Sequence, residues 1–230
     1  MKRYWMQSSQ ATAVVFLVID TAGYTDGMLI GQINEAVESL KDLKNERSFA
    51  VAPLVFSDSA KWVDLQEGRP AHICDFEFTK LTAGGSSNLG LALELLLSKL
   101  TTEEKGGWMY CNIAPIICFI TDGDPTGEFM PQLERLKQRG WYKAALKFAI
   151  ALGNSANYDL LENIVGNKET VISSDKGIAQ VLTQVIRFNC PYIEDLCLSQ
   201  EEISTGFELQ DKDLVENEIR LLMDETDDLF

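Results

Sequence analysis

The sequence predicts an α/β fold, a doubly wound, mostly parallel sheet with helices on both faces. Three observations carry that expectation. Short apolar runs of strand length alternate with segments whose apolar residues recur at helical spacing, the mark of successive β-α-β units. One run, Ile113–Ile120, holds no charged residue, as a central strand covered on both faces requires. Polar clusters stand at strand ends, where open α/β sheets place their ligands.

The elements follow in order. Val14–Ile19 is an unbroken apolar run and is expected as a buried strand. Met28–Leu43 places Leu29, Ile33, Val37 and Leu40 on one helical face. Ala50–Phe56 and Ile73–Phe78 are the next two expected strands, and Asn88–Leu100 is a strongly apolar helix. After the Ile113–Ile120 strand comes a helix over Met130–Arg139, with Gly140 as its C′ residue. Leu146–Leu152 is a strand, Tyr158–Ile164 a short helix, Val171–Ser173 a short strand and Gly177–Phe188 a final helix. The predicted organisation is one domain over residues 11–188 and a C-terminal appendage over 189–230.

Composition narrows the function. The 230 residues carry a net charge of −15, and 46% of them are hydrophobic, enough for a sizeable core. Residues 190–230 hold 13 acidic and 2 basic side chains, so most of the negative charge belongs to the appendage. That charge argues against general nucleic-acid binding, since phosphates would be repelled. Cys74, Cys111, Cys118, Cys190 and Cys197 are odd in number and form no CxxC pair, which suggests reduced thiols and a cytoplasmic setting. His72 is the single histidine, which nearly excludes a His-dependent triad or a multi-His metal site. Lys2 and Arg3 precede the apolar run at Val14, but Asp20 ends that run too early for a signal peptide, and no segment reaches the length of a membrane span.

Three polar clusters can converge on one edge of such a sheet. Asp20-Thr21-Ala22-Gly23-Tyr24-Thr25-Asp26-Gly27 follows the first strand, Gly84-Gly85-Ser86-Ser87-Asn88-Leu89-Gly90 leads into a helix, and Thr121-Asp122-Gly123-Asp124-Pro125-Thr126 follows the uncharged strand. Their carboxylates and hydroxyls suit a hard divalent cation, although the same residue types serve ordinary turns. Together they resemble the metal-ion-dependent adhesion site of the von Willebrand factor A (vWA) family: DTAGYTDG for the family's DxSxS loop, GGSSNLG for its GGTNxG loop, and TDG unchanged. Leu54–Ala60 and Phe148–Gly153 are similar to two further strand ends of the family. The resemblance covers about residues 11–188 and implies a Rossmann-like vWA fold. Gly107-Trp108 with the later ITDGDPT is most similar to the bacterial TerY-like branch, linked to tellurite resistance.

The departures bear on the metal. Where the family has two metal-ligating serines, this chain has Ala22 and Tyr24. Alanine offers no ligand, and a phenol is normally protonated. The resemblance leaves Asp20, Ser87 and Asp122 as candidate metal residues, with Ser87 the remaining direct hydroxyl and Thr25 a substitute only if the loop shifts. The expected cofactor is therefore none, or weakly bound Mg²⁺. Asp20, Tyr24, Ser87 and Asp122 are also the candidate partner-binding edge.

Other readings fit less well. DTAG at Asp20–Gly23 and NKET at Asn167–Thr170 resemble GTPase segments, but the GxxxxGK[ST] phosphate loop is missing. Asp122–Thr126 has the DxDxT spacing of phosphatases with an aspartate nucleophile, yet on a middle strand. The acidic appendage is either a solvated tail or a docking peptide for a basic groove, anchored by Phe230. The expected function is a non-enzymatic intracellular adaptor that binds protein partners. The TerY-like resemblance implies a bacterial stress-response or defence setting, with a kinase or phosphatase encoded nearby as partner. The alternative is a hydrolase or nucleotide-binding enzyme using the strand-end crevice.

Overall fold

The computed structural model describes residues 13–109, 113–195, 199 and 203. A sheet in the order β3-β2-β1-β5-β6-β7 forms its centre, with β4 also paired to β2. The strands are β1 (Ala13–Asp20), β2 (Phe49–Phe56), β3 (Ala60–Trp62), β4 (Ala71–His72), β5 (Ile116–Thr121), β6 (Leu146–Ala151) and β7 (Val171–Ser173). β1 pairs in parallel with both β2 and β5, and β6 and β7 continue the parallel order. Only β3 and β4 run antiparallel, both against β2.

Every residue of β1, β2, β5 and β6 is buried, which explains why those runs are largely apolar rather than alternating, the exceptions being Asp20 and Thr121 at strand ends and Lys147 in β6, whose Nζ donates to Tyr142 O and Ala145 O. The helices are α1 (Met28–Ser39), α2 (Leu89–Lys99), α3 (Met130–Lys137), α4 (Gly140–Ala144), α5 (Tyr158–Val165) and α6 (Ile178–Asp195). α1 packs against α6 and α2 against α3, giving the doubly wound arrangement. Asn88 and Asn157 cap α2 and α5, accepting the Leu91 and Leu160 N–H groups. Trp108 stacks on Phe16 and meets the edge of Trp62 at 4.5 Å, so the Gly107-Trp108 pair has a packing role as well as a family likeness.

Several expectations are corrected. Ile73–Phe78 is not a strand. The ladder stops at Ile73, whose N–H donates to Phe49 O, and the chain turns as Asp75 N bonds His72 O. Ile73 and Phe76 are buried as anchors of that turn while Cys74 and Asp75 are exposed, a spacing of three rather than two. The first helix is α-helical only to Ser39, and Leu40–Asn45 tightens into 3₁₀ turns. The central strand begins at Ile116, after Pro115, which has no N–H to give a ladder.

Gly140 does not close a helix. It opens α4, and its backbone is not left-handed. A side chain there would overlap the carbonyl of Ile203, which is itself buried in the core. The last helix runs to Asp195, past the expected boundary at residue 188.

Candidate functional site

The strand order fixes where a site can form. From β1 the chain moves to β2 on one side, then returns to lay β5 on the other. The crevice between the carboxyl ends of β1 and β5 is thus the topological switch point, the usual ligand position in such sheets. Asp20 ends β1 and Thr121 ends β5.

Asp20 is fully buried and accepts three hydrogen bonds. Its Oδ1 takes the Ala22 N–H at 2.9 Å. Its Oδ2 takes the Ser87 hydroxyl at 2.6 Å and the Thr121 hydroxyl at 2.9 Å. Burial pushes the Asp20 carboxyl above its usual range, and these three donors oppose that rise. The Thr121 Oγ1 in turn accepts the Gly123 N–H at 3.2 Å.

Tyr24 sits on a 3₁₀ turn, Gly23–Thr25, and is 38% exposed. Its hydroxyl accepts the backbone N–H of Asp122 at 3.0 Å, joining the first loop to the third. Burial, with the carboxylates of Asp20 and Asp122 nearby, holds the phenol far above its ordinary pKa, so it keeps its proton. Asp122 accepts the Asp124 N–H at 2.9 Å, and burial followed by the charge of Asp124 raises its carboxyl. Thr25 is buried and its hydroxyl donates to Ala22 O at 2.8 Å, so it is not turned toward the site.

Backbone bonds tie the loops together. Gly23 N donates to Gly85 O, Gly84 N to Thr21 O, and Thr126 N to Ser87 O, at 2.7–2.9 Å. Gly85 has φ +82°, and a side chain there would strike the Asp58 carboxylate. That carboxylate accepts both the N–H and the hydroxyl of Ser86, which lower its pKa.

The structure brings Asp20, Tyr24, Ser87 and Asp122 together at the carboxyl ends of β1 and β5. Phe230 lies outside the described residues. Two contributors went unassigned in the sequence. Thr121 was visible in the TDG motif but not given a role, and Asp58, two residues past β2, lies in the family-like segment Leu54–Ala60 but was likewise given none. A cavity of about 580 Å³ opens beside these loops. Thr21, Trp62, Lys61, Lys80 and Gly84 line it, but Asp20, Tyr24, Ser87 and Asp122 do not.

At the two positions where the family has serines, Ala22 presents a methyl group and the Tyr24 oxygen already accepts the Asp122 N–H, while the Ser87 hydroxyl donates to Asp20 and keeps its lone pairs. Among the described residues no group of three or more His, Cys, Asp or Glu is placed to hold a metal ion.

A doubly wound sheet with a carboxylate-and-hydroxyl site at its switch point defines an α/β domain of the ligand-binding class. The family model of the von Willebrand factor type A domain matches residues 14–184, and the chain belongs to that family. It is similar to the inter-alpha-trypsin inhibitor heavy chain H2 of Sus scrofa, 25% identical over a 212-residue alignment that covers 84% of this chain. The alignment spans only 23% of that protein's length. Among solved structures, a von Willebrand factor type A protein from Catenulispora acidiphila superposes with a TM-score of 0.57 at 14% identity, covering 77% of this chain and 42% of that one. Proximal thread matrix protein 1 of the mussel byssus, described with a zinc-occupied MIDAS motif, gives a TM-score of 0.57 at 17% identity, covering 79% and 46%. At these identities the structural likeness establishes the fold alone.

Proposed function

We propose that this domain is a non-enzymatic protein-binding adaptor whose recognition edge carries Asp20, Tyr24, Ser87 and Asp122, and whose metal-ion-dependent adhesion site is degenerate. The observation that carries the reading is the Tyr24 hydroxyl seated on the Asp122 N–H. It stands where the family places a metal-ligating serine, and it closes the first loop onto the third without a cation. Mg²⁺ demands near-octahedral oxygen coordination, and Ala22 offers no oxygen while that of Tyr24 is engaged by the Asp122 N–H. Family membership supports a binding role. The separation of the carboxylates from the neighbouring cavity weighs against a small-molecule enzyme.

The likeness of Gly107-Trp108 and ITDGDPT to the TerY-like branch supports a bacterial stress-response setting, with a kinase or phosphatase encoded nearby as a partner. Cys74 and Cys118 are free thiols, which supports a reducing, cytoplasmic location. Among the described residues no helix is long and apolar enough to cross a membrane.

The test has two arms. Calorimetric titration of the protein with Mn²⁺ and Mg²⁺ should give no binding tighter than millimolar, and Ala22→Ser with Tyr24→Ser should improve it. Micromolar binding by the unaltered chain would overturn the degenerate site. In a pull-down, Tyr24→Ala and Asp122→Asn should each reduce partner capture without lowering the folded fraction. Undiminished capture by both would remove the loop edge from the reading.

A further inference from the structure

Gly140 poses a question of physical chemistry. It is the first residue of α4, where alanine would be favoured over glycine by up to about 1 kcal/mol. Its φ is not in the left-handed region, so no turn demands a glycine. What the position does require is space. A Cβ at residue 140 would overlap the carbonyl carbon and oxygen of Ile203.

Ile203 is only 8% exposed and joins the apolar core of the domain, and its N–H donates to Ser199 O at 3.1 Å, a helical spacing. The contact is thus matched from both sides, with an apolar side chain buried and a residue without a side chain beneath its backbone.

The location adds meaning. α4 is separated from the start of β6 by a single residue, so Gly140 lies at the amino end of the parallel strands. Asp20, Thr121 and Asp122 lie at the carboxyl end. Residues 204–230 contain nine acidic and two basic side chains.

We propose that Gly140 is a docking notch for the chain's own C-terminal segment, which seats Ile203 and so tethers the point from which the acid-rich sequence continues, at the end of the sheet opposite the Tyr24 edge. The tether itself does not depend on the loop edge being a recognition surface, and its test uses neither metal nor partner.

The test uses the full chain in three forms: Gly140→Ala, Ile203→Ser and the double variant. Readouts are the rate of limited proteolysis beyond residue 195, hydrogen exchange at the Ile203 amide in the Gly140→Ala protein, and fluorescence of Trp141 as a check on α4. Each single variant should speed cleavage roughly tenfold or more, as a docked segment becomes a locally open one. The double variant should be no faster than the faster single one, because both act on one contact.

Unchanged cleavage and exchange in Gly140→Ala would overturn the proposal, as would single effects that multiply in the double variant. If Gly140→Ala disturbs α4 itself, Ile203→Ser still decides. Unchanged cleavage in that variant overturns the notch, and accelerated cleavage with Trp141 unaltered supports it.

Discussion

Arg47 repairs a defect that proline makes in the last helix. In α6 the N–H of residue 191 would ordinarily serve the carbonyl of Arg187, four residues earlier. Residue 191 is proline and has no N–H to give. The Arg187 carbonyl instead accepts the Arg47 Nε at 2.7 Å, while another Arg47 nitrogen donates to Glu46 O at 2.8 Å. Hydrogen bonds from charged donors contribute about 1.5–3 kcal/mol. Arg47→Ala should therefore cost about 2 kcal/mol, or about 4–8 °C in melting temperature for a domain of this size. The distinctive expectation lies in a second background. Pro191→Ala supplies an N–H to the same carbonyl, so Arg47→Ala should then cost only about 0.5–1 kcal/mol, a coupling of at least about 1 kcal/mol. Urea denaturation followed by circular dichroism measures all four proteins, provided the m-values agree. Equal losses in both backgrounds would refute the reasoning, because Arg47 would then be acting through something other than the carbonyl that Pro191 leaves unserved.

Three further outcomes follow from the site and the core. Ile117 is fully buried in the central strand β5, so Ile117→Asp should cost several kcal/mol and lower the melting temperature by about 10 °C or more; a variant melting within a few degrees of the parent would contradict its placement. Tyr24→Phe removes the acceptor of the Asp122 N–H and should cost about 1 kcal/mol, seen as a thermal shift of about 2–4 °C; an unshifted melt would mean the phenol does not hold the third loop. The folded state raises the Asp20 pKa above its unfolded value near 3.9, so the unfolded chain loses that proton first and stability falls as pH rises through the window between the two. Asp20→Asn should shrink the difference in melting temperature between pH 4 and pH 7, and an unaltered difference would assign the slope to other groups.

The sequence carried much of this architecture because the four central strands are buried on both faces. β1, β2, β5 and β6 cannot alternate, so they stand out as apolar runs, interrupted inside only by Lys147 of β6. Where burial comes from tertiary contact rather than periodicity, the signal fails. Ile73 and Phe76 are apolar because they pin a turn, which imitates a strand. Ala60–Trp62 has only three residues and gains its strand from the hairpin with β2, so it left no pattern to detect. Gly140 looked like a helix stop because glycine usually is one, whereas the reason for it lies far along the chain at Ile203. The site was legible for a different reason. Its loops follow strand ends, so topology delivers them to one edge once the strands are known. The hydrogen bonds within it were not legible, since the same serine can ligate a metal or donate to a carboxylate.

That last ambiguity is where the physics of the site turns. A cation shared by three loops holds them by charge, and loops so held loosen when the cation leaves. Here the connections are direct: Gly23 to Gly85, Gly84 to Thr21, Thr126 to Ser87, and Tyr24 to Asp122. Hydrogen bonds of this kind do not depend on a cation's charge and should be little affected by a chelator. Asp20 is the exception, a buried carboxylate whose ionised form is disfavoured by its surroundings despite three donors. Each of those donors satisfies the carboxylate while orienting a different loop, Ala22 in the first, Ser87 in the second and Thr121 in the third. Neutralising Asp20 relieves the burial of charge, but an amide cannot accept from all three donors in the same way. The stability that Asp20 forgoes as an ion is thus tied to the registration of the three loops, and an Asp20→Asn protein should show that registration relaxing even where its melting temperature rises.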